Sequence, residues 1–510
     1  MYTKRNKIFI CLSVIFLCIL LYGIKYYVSH MKEVVTENAQ LPDAIENYVP
    51  LNEEENVRYV VFTDIANGQE VDDIQSLYRL FLYSNQIDIE GIIANTSCFV
   101  PQIGDENVDL ILDVIDRYEQ VKSNLDVHSK GFPDASYLKS ITTLGISEYG
   151  KKDGKGFAAD YLKGNEGVDL FLSIIDKEDD RPIYIGLWGG ANTLAQAIWE
   201  YDLSHSEEEL NHMLSKLRIY GISDQDKACR WIRKKYGDRL FYVVTPSQIS
   251  IFGSSDFCRA IWPGISSDNF THGSEDGVKK GGFTGADFSL IDDDWIEQNI
   301  QQVSSYGAGY PLPGFITEGD SPSFMWIIPN GLNIPERPDY GGWGGRYIFY
   351  TPKKTGNAPK EYNNIWAVAY DSVTGHDGQI HTSPQATLWR WRDDFQSDFA
   401  ARMQWTATSD YNMCSHPADI RNRWNDVSAK AGEKLTLGLD LDNKDNYEYE
   451  WISYSDIGQD DIEIEGKGNQ AIVEVPADAV DGTNYHIVVR VRENKDISAV
   501  SYARFLISVE

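Results

Sequence analysis

The sequence predicts an α/β protein: a mainly parallel sheet with helices on both faces, followed by a C-terminal β-sandwich. Three observations carry this. Between Arg58 and about Phe252, short apolar runs alternate with segments of helical periodicity. Polar clusters stand directly after several of the apolar runs. From about Cys414 the texture changes to short strands separated by Asp, Asn and Gly turns.

The elements follow in chain order. Lys4, Arg5 and Lys7 precede an apolar run from Ile8 to Ile24, closed by Lys25. This pattern reads as a signal anchor with its basic end inside, or as a cleaved signal peptide, over residues 1–30. Either one places the rest of the chain outside the cytoplasm, membrane-anchored or secreted. Residues 31–57 are polar and acidic and read as a linker. An α/β domain is expected over 58–410. Its strands are Tyr59 to Phe62, Ile87 to Ala94, Pro182 to Leu187, Leu217 to Ile222 and Leu240 to Val244, with helices over Val108 to Tyr118, over Asn192 to Trp199 and after the fourth strand. Residues 253–360 are rich in Gly, Pro, Asp and aromatics, a composition suited to binding loops. Trp389 and Trp391 alternate like side chains on a strand and are expected in the core. An immunoglobulin-like sandwich is expected over 411–510, with strands at Lys434 to Leu441, Tyr447 to Tyr454, Gln470 to Val475, Tyr485 to Arg492 and Tyr502 to Val509.

Composition narrows the function. A chain of 510 residues with 42% hydrophobic residues has ample material for a large core. A net charge of −31 argues against nucleic acid or an anionic membrane surface as the main partner. Contact with a membrane is expected only through the N-terminal segment. Six cysteines without C-x-x-C spacing exclude a zinc ribbon and a disulfide-dense scaffold.

The candidate chemistry lies after the strands. Asp64 closes the first apolar run, and Asp72-Asp73 opens the helix beyond a short loop. Asn95-Thr96-Ser97 follows the second strand, Trp188-Gly189-Gly190 the third and Ser223-Asp224-Gln225-Asp226 the fourth. Thr317-Glu318-Gly319-Asp320 follows a Gly/Pro-rich stretch. One such cluster alone reads as helix caps and turns. In a parallel sheet, however, all carboxyl ends share one edge, and several polar clusters there predict a ligand crevice. Carboxylate oxygens in it suit a hard cation such as Ca²⁺ or Mg²⁺.

The loop from Asp64 to Asp72-Asp73 resembles the N-terminal aspartate motif of the nucleoside hydrolases. The whole chain resembles exported proteins described as cellulose-binding, with a nucleoside-hydrolase-like domain and a C-terminal immunoglobulin-like domain. The likeness lies in Thr63-Asp64-Ile65, Asp72-Asp73-Ile74-Gln75-Ser76-Leu77, Ile89-Glu90-Gly91-Ile92-Ile93-Ala94, Glu318-Gly319-Asp320-Ser321-Pro322-Ser323-Phe324 and Gly342-Trp343-Gly344-Gly345-Arg346-Tyr347. The resemblance implies Ca²⁺ held by Asp64, Asp73, Asp320 and the carbonyl of Trp188, with Asp64 as general base. It also implies that Asp72, Ser223, Asp224 and Asp226 hold the sugar, and Asn95 and Ser97, after the second strand, are expected as substrate-binding residues beside them. The loop from Asp64 to Asp73 is longer than in nucleoside hydrolases, and Glu70 is expected in the extra space. Gly319 stands where those enzymes often carry a histidine, so Glu318 is the substitute acid. The expected activity is Ca²⁺-dependent hydrolysis of an N- or O-glycosidic bond. The alternative is non-catalytic binding of cellulose or another polysaccharide. The Gly341 to Gly345 loop is expected over the site.

Overall fold

The computed structural model describes residues 55–244, 264–265, 285–314, 316–352, 360–457 and 461–510. The N-terminal apolar run and almost all of the linker lie outside these residues. Among the described residues, no helix is long and apolar enough to cross a membrane.

The α/β part begins with β1 (Val57–Thr63), α1 (Val71–Leu82), β2 (Ile87–Ala94), α2 (Asp105–His128) and β3 (Thr142–Leu144). It continues with α3 (Glu166–Ile175), β4 (Ile183–Leu187), α4 (Asn192–Ser204), α5 (Glu207–Lys216), β5 (Leu217–Gly221), α6 (Lys227–Tyr236) and β6 (Phe241–Val244). Strands β7 (Tyr347–Tyr350) and β8 (Ile365–Val368) and helix α7 (Arg392–Ala407) follow. The eight strands form one sheet in the order β3-β2-β1-β4-β5-β6-β8-β7. All neighbours pair in parallel except β7 and β8, which are antiparallel.

Strand β1 shows why its sequence is a continuous apolar run. Tyr59 and Val61 enter the core on one face, and Val60 and Phe62 enter the core on the other. A strand covered on both faces has no solvated side to mark with polar residues. The chain steps from β1 to β2 and β3 in one direction, then resumes at β4 on the opposite flank of β1. This reversal opens a crevice at the carboxyl ends of β1 and β4. Phe62 pairs with Leu187 and Thr63 with Ala94, which puts Asp64, Asn95 and Trp188 on one edge.

The C-terminal part comprises β9 (Trp424–Ala429), β10 (Lys434–Gly438), β11 (Tyr447–Ser453), β12 (Glu463–Lys467), β13 (Gln470–Glu474), β14 (Asn484–Glu493) and β15 (Val500–Val509). One sheet runs β9-β15-β14-β11 and the other β10-β13-β12. Leu437, Val473, Ile487 and Phe505 share the core between them. All five expected strands are present, and β9 and β12 are additional. Neither carries a strong apolar signal, because β9 is mostly half-exposed and β12 is nearly all exposed.

Two expectations near the junction are corrected. Trp389 and Trp391 flank the start of α7 rather than sharing a strand, although both are buried. The Gly341 to Gly345 loop packs against the sandwich instead of covering the site. Trp343 Nε1 donates to the Tyr502 hydroxyl at 3.0 Å, and the buried Arg504 donates to the Leu332 carbonyl at 2.9 Å and that of Tyr340 at 3.0 Å. Among the described residues, Cys98, Cys229 and Cys414 are free thiols.

A pH prediction arises beyond the end of α7. His416 stacks on Tyr411 at 3.7 Å and meets Nδ1 of His128, on α2, at 3.0 Å. Burial, and then the neighbouring His128, pushes His416 down to about 4. A histidine depressed in the folded state contributes stability above its unfolded value, and this is lost as pH falls through about 6.5 toward 4. Wild type is therefore expected to lose more Tm than His416→Phe across that window in thermal melts. Parallel curves would refute the assignment.

Candidate cation and sugar site

The site is built by the loop between β1 and α1. The Thr63 hydroxyl donates to Asp73 Oδ1 and accepts the Ile65 N–H at 3.2 Å, tying the strand end to the first turn of α1. Between them the chain makes a small lap, closed by the Glu70 N–H on the Ala66 carbonyl at 3.2 Å. Gly68, at φ +73°, takes the left-handed position the lap requires. Residues 67–69 are exposed, while Glu70 turns back inward. The extra loop length is therefore looped out, and it delivers one more carboxylate. Carboxylate oxygens of Glu70, Asp72 and Asp73 lie within 4.8 Å of one another.

Asp64 and Asp320 complete the cluster. Asp64 accepts a bond from the Ser97 hydroxyl, and Asp72 accepts the backbone N–H groups of Asp73 and Gly319. The charges of Asp73, Asp72, Asp64 and Glu70 all bear on Asp320, so the late aspartate is brought to the early ones. Burial raises Asp72 to about 6, and burial joined by repulsion from neighbouring carboxylates raises Asp64 to about 7 and Glu70 to about 12. Asp73 and Asp320 are raised well above the usual range for the same reasons. Asp64 Oδ2 and Asp320 Oδ2 are buried without a hydrogen-bond partner among the described residues. Buried acceptors without partners are rare and costly, and an excess of carboxylates compounds the cost. Oxygen donors of this kind and number fit a hard divalent cation.

The β4–α4 turn forms the opposite wall. A Cβ on Gly189 would stand 2.7 Å from Asp64 Cγ, and one on Gly190 would stand 2.5 Å from Asp226 Oδ2. Only glycine lets this backbone lie against the carboxylates. Gly189→Ala is accordingly expected to displace Asp64 and weaken divalent-cation binding at least about tenfold, a loss near 1.4 kcal/mol. Calorimetric titration of the folded variant with CaCl₂ reads this directly. Unchanged affinity would place Asp64 outside the ligand set.

Several expected residues play other parts. The Trp188 carbonyl already accepts the Gln225 side-chain amide at 2.7 Å, leaving it one lone pair. Asn95 is spent on the scaffold: its amide donates to the Gly190 carbonyl at 2.7 Å, and its oxygen accepts the Thr193 hydroxyl at 2.5 Å. Asp224 is turned away into an ion pair with Arg233, at 2.8 and 2.7 Å. Asp226 caps α6, accepting the Cys229 N–H at 3.0 Å and the Ala191 N–H at 3.0 Å. Ser223 is buried at the start of the same loop.

Glu318 is not placed as an acid. Its carboxylate binds Arg79 of α1, the Tyr310 hydroxyl at 2.7 Å and the Ser321 hydroxyl at 2.6 Å, and it is fully buried. A carboxylate whose oxygens are engaged by a guanidinium and two hydroxyls is held in the scaffold and not presented to a leaving group. Sequence reasoning missed Arg79, because an arginine in an amphipathic helix reads as a surface residue. It also missed Gln225, whose buried Oε1 has no partner. That residue's position within the run 223–226 was the available signal.

Comparison with known proteins bears on this geometry. A family described as "Cellulose-binding Sde182, nucleoside hydrolase-like domain" matches residues 58–347, and "Cellulose-binding protein Sde0182, C-terminal domain" matches residues 436–509. A solved structure of a nucleoside hydrolase-related hypothetical protein from Saccharophagus degradans, described as associated with carbohydrate metabolism, superposes with a TM-score of 0.69 at 26% identity. The match covers 89% of this chain and 100% of that one. An endo-fucoidan hydrolase of glycoside hydrolase family 107 aligns at 9% identity over 89% of this chain and 80% of that one, with a TM-score of only 0.16, too low to bear on the fold. No curated protein sequence matches the chain.

Proposed function

This chain belongs to the cellulose-binding Sde182 family with a nucleoside hydrolase-like domain, and from that premise we propose that the α/β domain binds a saccharide through a divalent cation. Ca²⁺ is the expected ion. Asp64, Glu70, Asp72, Asp73 and Asp320 would hold it, with the carbonyl of Trp188, next to the Gly189 that lies against Asp64, as a further oxygen donor. When bound, the cation neutralises the buried carboxylates and offers its remaining coordination positions to sugar hydroxyls. The single observation that carries this reading is the pair of buried oxygens without partners, Asp64 Oδ2 and Asp320 Oδ2.

Hydrolysis of a glycosidic bond is the second reading, favoured by the position of Asp64. One of its oxygens is fixed by Ser97 and the other is unpartnered, which suits a base that takes a proton from water. Binding is placed first because cleavage also needs an acid for the leaving group, and Glu318 is committed to Arg79.

One experiment separates the readings. Wild type is expected to bind Ca²⁺ in calorimetry and to be retained on cellulose in CaCl₂ but not in EDTA. Retention without turnover across a panel of nucleosides and aryl glycosides supports binding. Turnover that Asp64→Asn abolishes supports hydrolysis. Absence of divalent-cation binding would sink both.

A further inference from the structure

A surface hollow on the outer face of α6 carries the charge opposite to that of the carboxylate site. Helix α6 begins with Lys227, the residue after Asp226. Lys227, Arg230, Trp231 and Lys234 recur at intervals of three, one and three, which puts them on one helix face. That face lines a surface pocket of about 370 Å³, completed by Lys152, Phe157, Lys360 and Tyr362 among others. Five cations thus meet around one hollow in a chain of net charge −31. Two carboxylates also line it, Asp153 and Glu361. Glu361 is already paired with Arg233 at 2.6 Å.

The aromatic side chains are arranged as walls. Phe157 meets Trp231 edge-on at 5.3 Å and fixes its orientation. Tyr362 is 58% exposed at the rim, with Lys234 Nζ 5.8 Å and Lys360 Nζ 4.9 Å from its ring centre. The exposed Tyr362 ring and the half-buried Trp231, which also carries Lys235 Nζ 5.0 Å from its ring centre, are flanked by ammonium groups and suit a ligand that is a ring carrying an acid group. The volume fits a small ligand or a few units of a chain. An extended polyanion such as nucleic acid is repelled by the net charge outside the pocket.

We propose that this pocket binds an acidic saccharide, with Trp231 and Tyr362 against sugar faces and Lys152, Arg230, Lys234 and Lys360 around its acid groups. The choice of a sugar as carrier rests on the reading of the carboxylate cluster; the preference for an anion does not. Carboxylated and sulfated sugars share the chemistry and are told apart by the probe.

The test uses the whole protein in EDTA, so that the carboxylate cluster is silent. Calorimetry is run with tetragalacturonate, sulfated cellotetraose and neutral cellotetraose. At least one acidic probe is expected to bind, and the tighter of the two identifies the acid group. Lys234→Ala and Tyr362→Ala, both at exposed positions, are each expected to weaken it roughly tenfold. Raising NaCl from about 50 mM to about 500 mM is expected to weaken it further. Asp73→Asn is expected to leave it unchanged, which separates this pocket from the cation site. Equal binding of cellotetraose, no binding of either acidic probe at low salt, or binding indifferent to both pocket substitutions would overturn the proposal.

Discussion

Asp73→Asn is expected to make the cation-free protein more stable while removing its response to Ca²⁺. Asp73 is buried among Asp64, Asp72, Glu70 and Asp320, and its folded pKa lies well above the ordinary value. A carboxyl raised in the folded state favours folding below its unfolded pKa, and the benefit is lost as pH rises through the folded value. With Asp64 raised to about 7 and Asp72 to about 6, the cluster's penalty grows between about pH 4 and pH 8. Removing one charge therefore changes little near pH 4 and adds about 1–3 kcal/mol near pH 8. The substituted amide still accepts from the Thr63 hydroxyl, so the strand-to-helix tie survives. Thermal melts in EDTA across that range read the effect. With Ca²⁺ at about a thousand times its dissociation constant the order reverses, because wild type gains about 4.1 kcal/mol by mass action and the variant gains little. An Asp73→Asn protein that is less stable at every pH would show that the carboxylate is a structural anchor instead.

Arg79→Met is expected to have the largest cost in stability. Arg79 is fully buried and pairs with Glu318; it also donates to the Phe395 carbonyl at 2.9 Å and to Gln396 Oε1 at 2.5 Å, and its guanidinium lies 3.9 Å from the centre of the Phe399 ring. It joins α1, the late loop and α7 at one point. Its removal leaves the buried Glu318 without a counter-charge, held only by the Tyr310 and Ser321 hydroxyls, a loss of about 3–5 kcal/mol. Urea denaturation measures this. The double variant Arg79→Met with Glu318→Gln is expected to recover part of the loss, since no charge then remains stranded. Cation affinity falls in Arg79→Met, because Glu318 sits at φ +48° and the next N–H, that of Gly319, holds Asp72. A variant that loses stability but keeps its Ca²⁺ affinity would uncouple the late loop from the site.

The legible part of this protein was the part with a period or a local signal. Ile87–Ala94 spans the same residues in sequence and structure, because Ile87, Ile89, Ile92 and Ile93 mark it as a strand even though Asp88 and Glu90 interrupt the apolar residues. Asp64, Asp72 and Asp73 stand where a strand ends and a helix begins, so their place on the ligand edge could be read in advance. Helix α7 could not be read, because its two faces are covered by different neighbours and its apolar residues have no single side. Strands β9 and β12 were silent for the opposite reason: they lie mostly open to solvent and depend on pairing with β15 and β13.

The sequence by itself determined the α/β order, the parallel sheet, the sandwich and the set of carboxylates at the strand ends. These follow from local periodicity and from the rule that parallel strands share a carboxyl edge. Only the tertiary structure decided which polar side chains in those clusters serve the site. Asn95 and Glu318 have the right chemistry, but each is consumed by a partner distant in sequence, Gly190 and Arg79, while Asp224 is taken by Arg233 one loop and two turns further on in α6. A side chain's role depends on which of its lone pairs and donors remain unused, and that is settled by contacts between segments far apart along the chain.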